Sequence, residues 1–339
     1  MKKLLKHKLA FLTEHHALSK AVIDFQTCVD HPMLLVSQVQ RSGGTLLSQL
    51  FDGHPELHAH PHELKIGRPD KTDWPQLNLA DQRKLFDMVW EENTEFFLKN
   101  GYRKDIKGRK EKELFRALFL PSLMRSIFNK SLAAKSSGQL TQRQVLNAYF
   151  TAYFNGWVDN RNLWGEKKYV AAFVPSLSSK TASVSRFWTD YPDGKLIFLT
   201  RDPCSWYASA TKYDAKKFSG LDQGFNEWMT SSESILEWRQ KMPDQTMLYR
   251  FEDLVSRTEA VMRSICRHTG LTFCPALLEP TFNGRPIRAS SSFTVENISH
   301  GVIAEAANRR QTLEPVIIEQ IEQKSSALAG RLNAVLTEL

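Results

Sequence analysis

The sequence contains no run of lysine and arginine, no Cys-x-x-Cys pair and no apolar stretch near the roughly 18 residues that a membrane span needs. The first absence, with no zinc-finger spacing and no aromatic RNA-binding signature, argues against a nucleic-acid partner. The four cysteines, Cys28, Cys204, Cys266 and Cys274, have no metal-like pairing with histidine. They read as thiols in a reducing compartment rather than as a disulfide framework. Met1-Lys2-Lys3 opens like a signal peptide, but Lys6, His7, Lys8 and Glu14 break the apolar stretch and no small-residue cleavage site follows. The expectation is a cytoplasmic protein with no integral membrane segment. What is present is ordinary for a globular chain: 339 residues, 42% hydrophobic and 24% charged, enough to build a core without staples. Lysine and arginine exceed aspartate and glutamate by 45 to 37, a formal +8 that suits an anionic ligand.

Met33–Val39 is a short apolar run with the character of a buried strand, followed by a turn with Gly43 and Gly44 and by helical spacing from Leu46 to Phe51. Strand, glycine turn and helix open a βα unit. A second strand is expected around Leu57–His60. From Leu79 to about Arg161 the pattern is helical, with stripes at Leu85, Met88, Val89 and Trp90 and at Leu114, Leu118, Leu123 and Ile127. Lys130–Thr141, rich in serine, is the candidate mobile loop. Further strands are predicted at Tyr169–Val174, Lys195–Thr200 and Thr246–Phe251, with helices at Ser178–Thr189, after Pro203 and at Phe225–Gln240. Such alternation predicts an α/β fold, a parallel sheet flanked by helices. No repeat or composition break divides the chain. The reading is one domain over 1–339, with an N-terminal extension (1–30) and a helical insertion at about 75–165.

Two segments could carry chemistry. Gln40-Arg41-Ser42-Gly43-Gly44-Thr45-Leu46 lies between strand and helix, where glycines let the backbone approach an oxyanion and the helix start presents N–H groups. Arg41 adds a fork of permanent charge. An ordinary glycine turn capped by Thr45 is the alternative. The segment is not a Walker A loop, because no lysine precedes the helix-opening hydroxyl. Arg201-Asp202-Pro203 then leaves the clearest strand, with Ser209 two turns into the next helix, at the sheet edge where ligands of α/β proteins bind. A salt-bridged arginine and a solvated serine would also account for it.

Together these residues resemble the sulfotransferases that use 3′-phosphoadenosine 5′-phosphosulfate (PAPS). Members of that family carry a [K/R]-S-G-T-T-L loop after the first strand, and Arg41–Leu46 is similar to it, with Gly44 in place of the first threonine. They also carry R-x-P-x-x-x-x-x-S, which Arg201 and Ser209 match at the same offset. The resemblance implies a P-loop-NTPase-like fold, a 5′-phosphosulfate held by Arg41, Ser42, Gly43, Gly44, Thr45 and Leu46, and a 3′-phosphate held by Arg201 and Ser209. His54-Pro55-Glu56-Leu57 and Phe251-Glu252-Asp253-Leu254 resemble further family segments. Phe251 would then pack against adenine, with core packing as the alternative. Ser290–Phe293 and Arg309–Leu313 resemble the nucleotide-closing segment, which assigns Ser291, Arg309 and Arg310 to the nucleotide, although the family's tryptophan is missing here. The similarity covers roughly residues 32–315 and leaves 65–165 without a recognisable motif.

The implied reaction transfers a sulfuryl group to a hydroxyl or amine, as in transferases of the EC 2.8.2 type, and calls for no metal. Arg41 and the loop amides would take up charge on the leaving phosphate. In tyrosylprotein-type and bacterial relatives a glutamate at about this distance from the loop is the base. Glu63 matches it, with His62 adjacent, and a histidine-rich surface turn is the alternative. Where many relatives place a lysine before the second motif, this chain has Phe173; Lys65, Lys180 and Arg68 are the candidate replacements. The acceptor class stays open between a small molecule, a glycan and a peptide, and the oligomeric state stays open as well. The aromatic residues of 86–157 either line a cavity or pack a core. An atypical P-loop kinase and a non-catalytic nucleotide- or glycan-binding homologue are the competing functions.

Overall fold

The computed structural model describes residues 26–67, 73–100, 102–103, 114–115, 117–134, 139–218, 220–288 and 301–339, together with positions 13 and 17. Most of the N-terminal extension, Arg68 and Ser291 lie outside the described residues.

In chain order the elements are β1 (Met33–Gln38), α1 (Gly44–Phe51), β2 (Leu57–Glu63), α2 (Leu85–Val89), α3 (Glu92–Asn100), β3 (Tyr102–Arg103), β4 (Leu114–Phe115), α4 (Pro121–Ala133), α5 (Gln142–Gly156), β5 (Tyr169–Phe173), α6 (Thr181–Asp190), β6 (Lys195–Thr200), α7 (Pro203–Tyr213), α8 (Leu221–Lys241), β7 (Thr246–Arg250), α9 (Phe251–Ser256), α10 (Thr258–Thr269) and α11 (Pro315–Asn333). Five strands pair in parallel in the order β2-β5-β1-β6-β7. The α/β expectation, a parallel sheet flanked by helices, is therefore met.

Side chains alternate across this sheet as the two-residue period of a strand requires. Met33 and Leu35 of β1 enter a core shared with α4, α5, α7, α8 and α11, while Leu34 and Val36 enter the opposite core with α1, α9 and α10. Both faces being covered, all six residues of β1 are buried, which is why it reads as a continuous apolar run. Full burial of one such leucine contributes about 1.5–3 kcal/mol relative to exposure.

Several predicted boundaries shift. Lys130–Ala133 finish α4 rather than open a loop, and Thr141 caps α5: its side chain accepts from Gln144 N while Gln144 Oε1 accepts from Thr141 N at 2.9 Å. A reciprocal cap of this kind satisfies two helix-end donors, so the polar residues at 141–144 mark a helix start. Residues 135–138 of the predicted loop lie outside the described residues. Leu114 belongs to a two-residue strand paired with β3 and Leu118 is exposed, so only the second half of that stripe, Leu123 and Ile127, is helical and buried, in α4. Phe251 begins α9 instead of ending β7.

Both edges of the sheet are covered in part. On β7, Leu248 N donates to Thr337 Oγ1 at 2.8 Å and Thr337 N donates to Leu248 O at 2.9 Å. On β2, Pro61 has no N–H to offer, and Asn162 Nδ2 donates to Leu57 O at 3.1 Å.

Candidate active site

Because the five strands are parallel, their carboxyl ends share one edge. That edge gathers the loop after β1, Glu63 at the end of β2, Phe173 at the end of β5, Arg201 after β6 and Phe251 after β7. Position, not sequence proximity, brings the two predicted anion motifs together.

The loop is built by backbone geometry. Arg41 has φ 70° and Gly43 φ 94°, two left-handed residues that turn consecutive N–H groups inward before α1 begins. At Gly43 a Cβ would also stand 2.5 Å from the Phe251 ring. The side chain of Gln38 fills part of this concavity: Ser42 N and Gly44 N donate to its Oε1 at 3.1 and 2.6 Å. Helix geometry leaves the Thr45 and Leu46 amides without intrahelical partners. Thr45 is exposed, Ser42 Oγ is buried without a hydrogen bond among the described residues, and the Leu46 side chain lies in the core, leaving its amide for the loop.

Arg201 is buried and joins the motifs. Its Nη1 donates to Arg41 O at 3.2 Å and its Nη2 to Ala306 O at 2.6 Å, while its guanidinium lies 4.4 Å from the centre of the Phe251 ring. Phe251 thus packs between Arg201 and the glycine loop. Burial pushes the Arg201 pKa down to about 10; Glu252 opposes this, and the like charges of Arg41 and Arg309 add to it. Arg41 stacks 4.2 Å from the Tyr213 ring centre; burial lowers its pKa, opposed by Tyr213 and Glu63. Asp202 caps α7 by accepting from Ser205 N at 2.7 Å, which orients the helix carrying buried Ser209. Arg309 N donates to Ser205 Oγ at 3.2 Å, so that segment closes over α7. Arg310 points elsewhere: it pairs with Glu322 on α11 at 2.5 Å, which occupies its charge away from the loop.

Across the edge, a cavity of about 240 Å³ opens between α1 and β2, lined among others by Thr45, Glu63, Lys65, Asn93, Phe97 and Phe173. Glu63 is partly exposed and pairs with Lys65 at 3.3 Å. Lys180 pairs with Asp73, and of the two candidate lysine replacements among the described residues Lys65 is the one that borders the cavity. His62 is held otherwise than a surface turn would be. Burial pushes its pKa down to about 3, with His60 adding to the effect, and its Nε2 lies 3.1 Å from Tyr153 Oη.

Sequence reasoning noted Gly44 and Phe173 as separate departures, but they are one fit. A Cβ on Gly44 would stand 2.2 Å from Phe173 Cε2, so the ring occupies the space a threonine there would need. Glu91 went unnoticed, since nothing around it in sequence suggests a site. It is fully buried, lies 3.4 Å from His60 Nε2 and 3.3 Å from His62 Nδ1, and accepts from Tyr149 Oη at 3.0 Å. Burial pushes its carboxyl pKa up, and His60 and His62 more than offset this, leaving it below the ordinary range. Phe86, Tyr149, Tyr153, Phe154 and Trp157 are core residues, whereas Phe96 and Phe97 border the cavity.

A sequence model described as the sulfotransferase family matches residues 32–275, well over half of the chain. The chain belongs to the sulfotransferase family. Among solved structures, the sulfotransferase domain of the Synechococcus PCC 7002 olefin synthase is 18% identical, with a TM-score of 0.52 over 89% of this chain and 98% of that one. The sulfotransferase domain from the curacin biosynthetic pathway is 18% identical, with a TM-score of 0.48 over 87% and 98%. A sulfotransferase from Alicyclobacillus acidocaldarius is 11% identical, with a TM-score of 0.44 over 92% and 98%. At such identity the likeness to the olefin synthase domain speaks to the sulfotransferase fold alone. A search of curated proteins finds no match. No helix among the described residues is long and apolar enough to cross a membrane.

Proposed function

We propose that this sulfotransferase moves the sulfuryl group of PAPS to a hydroxyl or amine acceptor, with Glu63 as general base. The observation that carries the reading is the hydrogen bond from Arg201 to Arg41 O, which unites two anion motifs 160 residues apart beside the start of α1. The residues fit the nucleotide: Arg41, Arg201 and Arg309 gather like charges that a polyanion would relieve, and the buried Ser42 hydroxyl has no hydrogen bond among the described residues.

When bound, PAPS supplies an activated sulfur with a phosphate leaving group. Arg41 and the Gly43, Thr45 and Leu46 amides neutralise charge developing on that phosphate, with the Gly44 amide joining them once Gln38 yields, while Arg201 and Ser209 hold the 3′-phosphate. Arg309 closes over it, and Ser291 and Arg310 belong to the same closing segment. Glu63 takes the proton of the attacking acceptor. The acceptor–sulfur bond forms as the sulfur–oxygen bond to phosphate breaks, giving sulfated acceptor, adenosine 3′,5′-bisphosphate and a protonated Glu63. The Lys65 ammonium favours the ionised Glu63 carboxylate, and after the product leaves Glu63 passes its proton to solvent. No step calls for a metal ion. One catalytic domain in the cytoplasm, with the 75–165 helices walling the acceptor cavity through Asn93, Phe96 and Phe97, suits this reading.

Thermal unfolding with adenosine 3′,5′-bisphosphate in EDTA tests it. At 100 times its dissociation constant the ligand adds ~2.7 kcal/mol to stability. No shift at saturation, or a shift with Mg-ATP alone, would overturn the reading. Sulfur-labelled PAPS offered with a panel of small-molecule, glycan and peptide acceptors then identifies the acceptor.

A further inference from the structure

We propose that His60, His62 and Glu91 form a binding site for a zinc-like divalent transition ion, which ties β2 to the start of α3. His60 and His62 are two residues apart on β2 and so face the same side, toward Glu91, which immediately precedes α3. One ligand atom from each of the three lies within 4.8 Å of the others. His60 Nε2 is 3.4 Å from Glu91 Oε1, and His62 Nδ1 is 3.3 Å from Glu91 Oε2. Bonds of 2.0–2.1 Å arranged tetrahedrally put neighbouring donor atoms about 3.3–3.4 Å apart.

Hydrogen bonding separates an ion from a simple proton. His60 Nδ1 lies 2.9 Å from His62 O. A carbonyl only accepts, so Nδ1 carries the proton and Nε2 turns its lone pair toward the carboxylate. Neither His60 Nε2 nor Glu91 Oε2 makes a hydrogen bond among the described residues, and both residues are about 1% exposed or less. The His60 Nε2 lone pair and Glu91 Oε1 face each other at 3.4 Å out of water and need positive charge between them. A proton shared in a charged N–H···O bond would draw them to ~2.7–2.9 Å, whereas a coordinated ion holds them apart at the spacing seen.

The surrounding contacts have the form of an outer shell. A ligating histidine donates its other N–H to a carbonyl or comparable acceptor, as His60 does to His62 O. His62 Nδ1 lies 2.9 Å from Glu63 O, so an ion takes this nitrogen by moving its proton to Nε2, which then donates to Tyr153 Oη, while Glu63 O keeps Asn93 Nδ2 as donor at 3.1 Å. Tyr149 Oη holds Glu91 Oε1. Two imidazoles and one carboxylate suit Zn²⁺ or Co²⁺ and disfavour Ca²⁺ and Mg²⁺, which take oxygen ligands. Since His62 and α3 both border the cavity beside Glu63, the ion fixes the acceptor wall and takes no part in sulfuryl transfer.

The test uses tag-free full-length protein, dialysed against chelator and titrated with Zn²⁺ and with Co²⁺. Elemental analysis should find one ion per chain, and bound Co²⁺ should give the intense visible bands of a four- or five-coordinate N/O site. Zn²⁺ should raise the unfolding temperature of the dialysed protein, and Mg²⁺ should not. Losing an outer-shell partner weakens metal sites by 10–100-fold, so removing a ligand outright in Glu91→Gln or His60→Gln should cost more than about 100-fold in Zn²⁺ affinity. Binding of adenosine 3′,5′-bisphosphate should survive metal removal, which separates this site from the nucleotide site. The proposal is overturned by no stoichiometric ion and no Zn²⁺-dependent shift, by equal binding in the variants, or by the weak bands of six-coordinate aqueous Co²⁺. The wild-type spectrum decides if a variant does not fold.

Discussion

Arg201 makes two hydrogen bonds to backbone carbonyls and lies over an aromatic ring, so replacing it loosens the loop as well as removing charge. We expect Arg201→Ala to weaken PAPS by ~1.5–3 kcal/mol and Ser209→Ala by about 1 kcal/mol, the ranges for charged and neutral hydrogen bonds. Calorimetry with adenosine 5′-phosphosulfate, which lacks the 3′-phosphate, should register much smaller losses. Equal losses would move both residues to the other phosphate. Glu63 differs in kind: Glu63→Gln keeps the shape and removes the basic oxygen, so turnover should fall about 10²–10⁴-fold with bisphosphate binding unchanged. Near-normal turnover in that variant would end the assignment of Glu63 as base. Arg41, Arg201, Ser209 and Glu63 stand out in the sequence as candidates because a fixed spacing or a strand end marks each of them. Glu91 does not, because its partners lie some thirty and sixty residues away and a buried carboxylate leaves no local pattern.

At the scale of elements, β1, the loop and α1 are shaped by a strand they pair with in space. Phe173 of β5 fills the volume above Gly44, and a Cβ there would stand 2.2 Å from the packed ring, which would have to move by about an ångström to reach ordinary contact. Gly44→Ala should therefore cost about 1–3 kcal/mol in stability, as overpacked sites do. In Phe173→Leu the same change should cost measurably less, and a double-mutant cycle by urea unfolding reads the coupling. Additive effects would mean that the ring yields freely. The same dependence on distant partners limited the sequence reading. β6, at Lys195–Thr200, was predicted to the residue because its apolar run is bounded by a turn. α5 reads as merely aromatic in sequence, yet nearly all of it is buried, since it is enclosed by other helices rather than half exposed. The polar end of α4, Lys130–Ala133, resembles loop in composition and was missed for that reason, whereas the expected loop ends at Thr141, the residue that caps α5.

At the scale of the molecule, parallel strands bring chemistry to one edge and leave the two outer strands as the vulnerable flanks. Thr337, far from the site in sequence, occupies the middle of the β7 edge with two hydrogen bonds to Leu248. Ser264 Oγ also donates to Glu338 O, fastening the same tail to α10. The consequence concerns how these molecules meet one another in solution. A strand with vacant donors and acceptors is a template for the same strand in another copy, and here the template is already used. Trimming residues 336–339 should leave bisphosphate affinity at its original value, because the carboxyl edge is untouched. Light scattering on warming should nevertheless begin at lower temperature and grow more steeply with protein concentration. Unchanged scattering would mean that α11 shields the strand without the tail. The last few residues thus act as a selvedge: they bear no pattern of their own, and they keep the cloth from unravelling into its neighbour.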